Sequence, residues 1–391
     1  MKADRMVAAP VIAPNGGELP AVVLDLDLAD PLPSVAGVHT DGRRVLRAWV
    51  LVRLFEEPLG TMLIDLPAKG LRPAGLGSAI QAELGDRLGG LPVPLDGYTP
   101  ATEPAFLARR RAVLETAPHI TVVVCTRERP GALARCLDSL LAQRYPAFRV
   151  LVVDSAPITG ATAEVTRAAA RRGPVEYLVE NRNGMAFARN AAVLAAPGQI
   201  LAWIDDNDVA DPHWLAEIAR ALDEHPDAAV IAGAVAPAEL ECPAQLWFEQ
   251  LTASPGDVSF PYDGYAGLTF RPGVIERAGM FDTALPAADD LLIVNRVLAG
   301  GGGVVRQASA VTWRYHPSDR DGVRRRVVAR RRGLAAAYTK MALEKPTLAW
   351  KLVRAARWGM LSGPRTYLRG KRAARAQEGW HDRAGLRRLL P

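Results

Sequence analysis

Hydrophobic and polar residues alternate in the first part of the chain in a way that predicts a small module of strands and a helix. Over residues 22–28, apolar side chains alternate with two aspartates, which is the two-residue period of a half-buried strand. The strand-like runs 45–55 and 61–66 flank a connection with Pro and Gly, which predicts a β-hairpin. Apolar residues then recur every four positions from 76 to 88, as on one helix face. We therefore predict an α+β module with its linker over residues 1–118, without a catalytic constellation.

Residues 119–317 have a different pattern, in which nearly continuous apolar runs alternate with helical periods. The runs 120–124 and 150–153 are typical of strands that are buried on both faces. Leucines at helical spacing follow the first run between 133 and 141, and a third run spans 199–204. Strands separated by helices predict an α/β fold, here a Rossmann-like, mostly parallel sheet flanked by helices. Such sheets bind ligands at the carboxyl ends of their strands, so the polar residues there are candidate site residues.

Basic residues are concentrated at the C-terminal end of the chain. The whole chain has a formal net charge of +6, but residues 318–391 contain 20 Lys and Arg against 5 Asp and Glu, so they carry +15 and the rest −9. We predict a basic helical extension there, and two interpretations stay open. It is a solvated extension or a homodimer contact, or it binds an anionic membrane surface, because basic residues flank Trp350 and Trp358. No motif with interleaved aromatics supports a nucleic-acid partner.

The composition predicts a folded protein of a reducing compartment. Hydrophobic residues make up 49% and charged residues 23%, which allows a full core and argues against disorder. The 3 cysteines are scattered without metal spacing, so we interpret them as packing residues. No run of about 20 apolar residues predicts a membrane span. We expect a cytoplasmic location, peripheral to the inner membrane face if the extension binds lipid.

Two polar residues directly follow the first two predicted strands. Thr126 comes after the first strand and Asp154 ends the second. A carboxylate at such a position can accept a hydrogen bond from a pyrimidine N–H, and a hydroxyl can bind the same ring or its ribose. The alternative for Asp154 is an ordinary turn or helix-capping residue. Taken alone, Asp154 favours that alternative.

The third strand is followed by an acidic turn, Asp205-Asp206-Asn207-Asp208. Three carboxylates in four residues repel one another, and folding tolerates this more readily if a cation or an arginine neutralises them. Hard divalent cations prefer such oxygen ligands, and Mg²⁺ often combines one or two carboxylates with substrate phosphates. The alternative is an acidic surface turn, which is the less favoured interpretation at the end of a buried strand.

Three other segments contain candidate residues. Gly184 opens a predicted helix whose start suits an anion, and Arg189 on that helix could contact phosphate or the carboxylates. Asp289 and Asp290 begin another predicted helix, where they are caps, a general base for a hydroxyl, or both. His316 follows a strand-like run, and a lone histidine becomes a ligand candidate only beside a diphosphate–metal site.

Taken together, these segments resemble the family 2 inverting glycosyltransferases of the GT-A fold. The resemblance covers residues 120–316, slightly over half of the chain, and its motifs stand in family order. They read VVVCTRERPGALARCLDSLLAQRYP, VLVVDS, NRNGMAFARNAAVLAA, ILAWIDDNDVADPHWL, GLTFRPGVIERAGMFD and AADDLLIVNRVLAGG.

The resemblance implies a donor site. Thr126, Arg127 and Asp154 would face the nucleotide base and ribose, and Arg189 would lie near the nucleotide pocket. The cluster that starts with Asp205 and Asp206 would hold ribose, diphosphate and metal. The implied donor is a nucleoside-diphosphate sugar, with a UDP-sugar as the first guess.

The resemblance also implies a metal site and a base. The implied cofactor is Mg²⁺ or Mn²⁺, with Asp206, Asn207, Asp208 and His316 as candidate ligands. Asn207 stands where the family usually has its main metal-binding Asp, so strict metal dependence stays open.

Asp290 matches the second residue of the family's Glu-Asp pair and would be the general base, with Asp289 beside it. Gly267 and Leu268 match the loop on the acceptor side.

The function expected from sequence is therefore transfer of one sugar to a hydroxyl acceptor with inversion. Two other readings stay open. A nucleotidyltransferase would release pyrophosphate, but no Gly-rich phosphate loop follows the first strand. A catalytically weak module would bind nucleotide sugars without turnover. Specificity is expected in the loop 236–265, which has no readable code.

Overall fold

The computed structural model describes residues 18–100, 102–252 and 267–348. Trp350 and Trp358 of the basic extension lie outside these residues. Residues 253–265 of the predicted specificity loop also lie outside them. The chain divides into two compact units. The first comprises Met1–Ala108, Ala236–Ala253 and Arg314–Val323, and the second comprises Arg109–Val235, Ser254–Trp313 and Arg324–Pro391.

The first unit contains a three-stranded sheet and a separate two-stranded sheet. Its strands and helices are β1 (Glu18–Leu19), β2 (Val22–Asp27), β3 (Arg44–Val45), β4 (Arg47–Leu54), β5 (Glu57–Asp65), α1 (Pro73–Leu84) and the first residues of α2 (Ala105–Glu115). Strand β4 lies between β2, with which it is parallel, and β5, with which it is antiparallel. Apolar residues of the sheet and α1 form one core, including Val50, Leu76 and Ile80.

The hairpin between β4 and β5 turns earlier than the sequence pattern predicts. The connection is the pair Phe55-Glu56, and both residues have positive φ, 52° and 70°. Two such residues form the tight turn that matches strand twist, although Asn and Gly are the usual occupants. Asp27 offsets the cost, because its carboxylate accepts hydrogen bonds from the Phe55 and Glu56 amides at 2.8 and 2.5 Å. A side chain distant in sequence therefore determines the turn.

The second unit contains an eight-stranded sheet with helices on both faces. Its strands are β6 (Ile120–Thr126), β7 (Phe148–Ser155), β8 (Val175–Glu180), β9 (Ile200–Trp203), β10 (Asp208–Ala210), β11 (Ala228–Pro237), β12 (Leu268–Phe270) and β13 (Gly303–Arg314). Its helices are α3 (Pro130–Leu141), α4 (Ala161–Ala170), α5 (Met185–Ala195), α6 (Trp214–Glu224), α7 (Pro243–Thr252), α8 (Val274–Arg277), α9 (Asp289–Ala299) and α10 (Arg320–Glu344), of which α7 and the start of α10 belong to the first unit.

The strand order is β10-β13-β11-β12-β9-β6-β7-β8. Strands β9, β6, β7 and β8 are parallel neighbours, whereas β12 is antiparallel to both β9 and β11. The predicted α/β class is confirmed, and the three predicted apolar runs correspond to the parallel strands β6, β7 and β9. The fourth parallel strand, β8, lies at the edge of the sheet and has exposed polar positions.

Alternate residues of β6 explain why its sequence is almost entirely apolar. Val122 and Val124 face one core, with α3 and α6, whereas Val123 and Cys125 face a second core, with α5 and α9. Both faces of the strand are covered, so neither set of side chains meets solvent. Burying each valine stabilises the fold by roughly 1.5–3 kcal/mol.

Helix α10 lies within the predicted basic extension, and its C-terminal half packs on α9. Leu292 of α9 shares a small core with Ala336 and Met341 of α10. A Cβ on Gly333 would lie 2.5 Å from the Ala287 carbonyl oxygen, so only glycine fits there without movement. No helix in the described ranges is long and apolar enough to cross a membrane.

Candidate functional site

The ends of three parallel strands bring predicted donor residues together. Thr126 is the last residue of β6 and pairs in register with Asp154 of β7. The acidic turn begins two residues after β9, which is the other neighbour of β6. The Thr126 hydroxyl donates a hydrogen bond of 2.7 Å to Asp206 Oδ2. Two segments 80 residues apart in sequence therefore meet at one edge of the sheet.

Asp206 is a buried carboxylate with a donor on each oxygen. Thr126 binds Oδ2, and the Arg129 guanidinium lies 3.2 Å from Oδ1. Burial raises the pKa of the Asp206 carboxyl, and the charge of Asp205 adds to this, while the contacts with Thr126 and Arg129 oppose it. The net direction is upward because desolvation disfavours the charged form.

The rest of the acidic turn is compact. The Asp208 amide donates to the Asp205 carbonyl at 3.0 Å, which closes a tight turn, and the Asp208 side chain is buried. Arg326 of α10 lies 4.0 Å from an Asp205 carboxylate oxygen. Within the residues that the structure describes, no group of three or more His, Cys, Asp or Glu side chains is arranged to hold a metal ion.

Asp154 is completely buried at the end of β7. The Tyr177 hydroxyl on β8 donates to its Oδ2 at 2.7 Å. Burial raises the pKa of the Asp154 carboxyl and the charge of Glu128 adds to it, while the hydrogen bond from Tyr177 opposes the shift. An ionised Asp154 therefore depends on neutral donors rather than on a cation.

A second charged cluster joins α5 to the start of α9. Arg189 Nη1 lies 2.8 Å from Asp289 Oδ1, and Arg189 Nη2 lies 3.6 Å from Asp290 Oδ2. Burial disfavours the charged guanidinium, but the Asp289 and Asp290 carboxylates outweigh it and raise the pKa of Arg189. Arg189 therefore stays charged and neutralises a carboxylate that is taken out of water.

The two carboxylates of this cluster differ in access to solvent. The Asp289 side chain is 2% exposed and that of Asp290 is 29% exposed. Burial raises the pKa of Asp289, Arg189 lowers it, and the neighbouring Asp290 charge raises it. Ala288, just before the pair, has φ 64°, a left-handed conformation that costs energy for a residue with a side chain. Asp289 thus anchors the pair, and Asp290 is the member that a ligand can reach.

Cys125 is close enough to both charged clusters, the acidic turn and the Arg189–Asp289 cluster, for their charges to affect the pKa of its thiol. Burial raises the pKa of its thiol to about 12, Arg189 opposes this shift, and the charges of Asp289, Asp205 and Asp206 add to it. The thiol therefore stays protonated at neutral pH. The acidic turn and the Asp289–Asp290 pair belong to one electrostatic neighbourhood.

Arg127 links the end of β6 to the start of α5. Its Nη1 donates to Asn183 Oδ1 at 2.9 Å. Gly184, the residue before α5, has φ 144°, a conformation that favours glycine. The Arg127 side chain therefore connects the segment after β6 with the segment before α5, both of which are predicted donor segments.

The predicted acceptor residues lie at the start of β12. Gly267 accepts a hydrogen bond of 2.8 Å from the Gly233 amide, and Leu268 is buried. A Cβ at Gly267 would make only ordinary contacts, the nearest being 3.6 Å from the Trp203 carbonyl oxygen.

His316 belongs to the first unit. Its Nε2 lies 3.3 Å from Glu249 Oε2, and its ring packs edge-on against Phe248. The acidic turn belongs to the second unit, so the role of His316 as a metal ligand stays a prediction.

Sequence reasoning missed three residues of the site, Arg129, Tyr177 and Arg326. Arg129 stands in the motif after β6, two residues from Arg127, and the resemblance implies a role only for Arg127. Tyr177 is on a strand next to β7, and a pairing register would have been needed to place it beside Asp154. Arg326 is the last of three consecutive arginines, and nothing in the sequence distinguishes it from Arg324 and Arg325.

The Glycosyl transferase family 2 model matches residues 121–239. These residues, less than half of the chain, are thus similar to the family 2 glycosyltransferases. The resemblance drawn from the sequence motifs is thereby confirmed, and Thr126, Asp154, Arg189 and the acidic turn lie within the matched residues.

Two curated relatives match parts of the chain. A glucosyl-dolichyl phosphate glucuronosyltransferase of Haloferax volcanii is 30% identical over 125 residues, which are 30% of this chain and 38% of that protein. The O-antigen biosynthesis protein RfbC of Myxococcus xanthus is 26% identical over 231 residues, which are 53% of this chain and 18% of that protein. The chain thus spans well under half of the length of either relative.

Two solved structures are similar. A mannosyltransferase of Pyrobaculum calidifontis in complex with GDP-Man and Mn²⁺ has a TM-score of 0.49 and 20% identity, over 72% of this chain and 89% of that one. TarS of S. aureus in complex with UDP-GlcNAc has a TM-score of 0.43 and 15% identity, over 56% of this chain and 66% of that one.

Proposed function

We propose that this glycosyltransferase is an inverting enzyme that transfers a sugar from a nucleoside-diphosphate sugar to a hydroxyl acceptor, with Asp290 as the general base. One observation carries the proposal. Of the two adjacent carboxylates, Asp289 is buried against Arg189, and Asp290 is partly exposed at the same cluster. A general base must reach its substrate, and its charge must be kept by the surroundings.

The proposed donor site is the group of residues at the carboxyl ends of β6, β7 and β9. Thr126, Arg127 and Asp154 would bind base and ribose, and Asp205 and Asp206 would lie toward the diphosphate. The convergence of these strand ends supports the proposal, because ligands of parallel sheets bind there. We propose a UDP-sugar as the first donor to test.

The proposed reaction is one displacement. The acceptor oxygen attacks the anomeric carbon, its proton passes to the Asp290 carboxylate, and the bond from the anomeric carbon to the diphosphate oxygen breaks. The electron pair of that bond leaves with the nucleoside diphosphate. Attack opposite to the leaving group inverts the anomeric centre. Arg189 keeps the Asp289–Asp290 pair from accumulating two uncompensated charges.

Asp206, Asn207, Asp208 and His316 are the residues that the sequence proposes for a divalent cation. Their fit is poor in the described residues, because both oxygens of Asp206 already accept hydrogen bonds and Asn207 contributes no charge. We therefore derive no catalytic step through a metal ion.

Partners other than the donor are proposed from the charge of α10. A basic surface is formed by the exposed arginines 324, 325, 331 and 332 of α10. We propose that this surface binds anionic lipid, which would make the protein a cytoplasmic one that is peripheral to a membrane. A homodimer through the same extension is the other possibility. Co-sedimentation with vesicles of anionic phospholipid at low and high salt separates the two.

The test of the proposed function is Asp290→Asn. We expect the variant to bind the donor nucleotide with unchanged affinity and to lose at least about 10²-fold in turnover, the usual range for loss of a general base. The measurement combines isothermal titration with release of nucleoside diphosphate from a panel of nucleotide sugars and hydroxyl acceptors.

Asp223→Asn on α6 is the matched control, since it makes the same change at an exposed carboxylate that takes no part in the site. Normal turnover of Asp290→Asn contradicts the assignment of the base. Pyrophosphate as the product would indicate a nucleotidyltransferase, and nucleotide binding without turnover in the native chain would indicate a binding module.

A further inference from the structure

Two arginines from different elements meet the acidic pair Asp205–Asp206. Arg129 lies between β6 and α3, and its Nη1 is 3.2 Å from Asp206 Oδ1. Arg326 belongs to α10, about 200 residues further along the chain, and its Nη2 is 4.0 Å from Asp205 Oδ2. Both guanidinium groups thus lie at the end of β9, where the proposed donor site is.

We infer that Arg129 and Arg326 form a clamp that binds the donor's diphosphate. This inference rests on the proposed function. In the donor-free protein their charges are held by Asp205 and Asp206, and the donor's diphosphate takes over these charges when it binds. Neither residue stands among those that the family resemblance implies. The family resemblance implies that a metal cation offsets the charge of the diphosphate. In this proposal the two arginines of the clamp supply that positive charge instead.

The exposure of Arg129 supports an exchangeable contact. Its side chain is 63% exposed, while its partner Asp206 is buried. A buried acceptor keeps its position, and an exposed guanidinium can turn toward a ligand without disturbing packing. Arg189 differs in this respect, because its side chain is 14% exposed and is held by Asp289.

The surroundings of Arg129 favour an anion. Arg129 is the residue before α3, a helix of 12 residues that starts with Pro130. The first backbone N–H groups of a helix have no partner within it, and the helix dipole adds positive potential there. A planar guanidinium next to such an end matches the paired oxygens of a phosphate group.

The same contacts bear on the divalent cation. With Thr126 and Arg129 on its two oxygens, Asp206 has less capacity for a metal ion, and Asn207 adds a neutral ligand only. Two guanidinium charges can offset those of Asp205 and Asp206. We therefore expect the nucleoside diphosphate to bind without a dication.

The experiment measures nucleotide binding to the full chain in EDTA and again in Mn²⁺. UDP, GDP and dTDP are compared first by thermal shift. The one that binds is then titrated against native protein, Arg129→Ala and Arg326→Ala, with its nucleoside measured in parallel by ligand-observed NMR. We expect binding in EDTA, a loss of roughly tenfold for Arg129→Ala and about threefold for Arg326→Ala, and unchanged nucleoside affinity.

Two matched controls use arginines of α3 and α10. Arg135→Ala on α3 and Arg324→Ala on α10 remove the same charge from exposed positions, and we expect unchanged nucleotide affinity. Circular dichroism and thermal unfolding check that each variant folds.

Three results would overturn the clamp. They are nucleotide binding that EDTA abolishes and Mn²⁺ restores, normal affinity in both clamp variants, or equal losses for nucleotide and nucleoside. Failure of all three nucleotides to bind in either condition would instead contradict the proposed donor site itself.

Discussion

The carboxylate pairs Asp205–Asp206 and Asp289–Asp290 are both met by arginine, but in different ways. Asp206 is approached by the largely exposed Arg129, whereas Asp289 is paired with the buried Arg189 over 2.8 Å. A buried pair is costly to open, because either partner alone would be an uncompensated charge in the core. An exposed guanidinium exchanges partners at little cost. We interpret the first pair as an exchangeable ligand site and the second as a fixed base.

Arg189→Met is the strongest test of the difference between the two carboxylate pairs. The substitution leaves Asp289 buried without its cation, so we expect a loss of roughly 3–5 kcal/mol in the free energy of unfolding. Urea unfolding followed by circular dichroism measures it. Adding Asp289→Asn should recover much of the loss, because the buried charge is then removed as well.

Arg129→Ala is the control for that prediction, because it removes an exposed guanidinium. Its free energy of unfolding should fall by about 1–2 kcal/mol, less than in Arg189→Met, because water can replace the exposed guanidinium beside Asp206. A similar loss in Arg129→Ala and Arg189→Met would contradict the distinction between a fixed and an exchangeable arginine.

The exchangeable pair has one fixed contact, which Thr126→Val tests. The change deletes the hydroxyl that donates to buried Asp206, at nearly constant volume. We expect a loss of about 1–3 kcal/mol in unfolding free energy, the cost of a buried acceptor left without its donor. Thr339→Val on α10, where the hydroxyl binds a backbone carbonyl within the helix, should cost less. Equal losses would mean that Asp206 does not need Thr126.

Asp154 extends the comparison to a buried carboxylate whose hydrogen bonds come from neutral groups. Because its folded pKa is raised by burial, the native state loses stability as pH rises from the unfolded pKa through the folded one. Tyr177→Phe removes a donor that stabilises the charged form, so the folded pKa rises further. The variant should therefore be more destabilised at pH 7 than at acidic pH, where Asp154 is protonated in both states.

The expected loss for Tyr177→Phe at pH 7 is about 1 kcal/mol, because Tyr177 is 39% exposed and water partly replaces its hydroxyl. Urea unfolding at pH 3, below the ordinary pKa of an unfolded Asp at about 3.9, and at pH 7 measures the difference. Tyr98→Phe is matched, since the Tyr98 hydroxyl donates to the Pro92 carbonyl, which does not titrate. Equal pH dependence in the two variants would remove Asp154 as the cause.

The α/β class, three of the four parallel strands and the resemblance to family 2 followed from the sequence alone. The apolar runs of β6 and β7 are local signals, because a strand covered on both faces has no polar side. The same reasoning placed Thr126, Asp154 and the acidic turn at strand ends, and the motif order pointed to family 2. These conclusions need only periodicity and the geometry of parallel sheets.

The tertiary structure alone decided the pairing of charges. Arg189 is 100 residues from Asp289, and Arg129 is 77 residues from Asp206. No local pattern states which arginine meets which carboxylate, or whether the pair is buried. The tight turn at Phe55-Glu56 is similar, because Asp27 stabilises it from another strand. Sequence patterns report which face of an element is buried, whereas contacts between distant side chains exist only once those faces have packed.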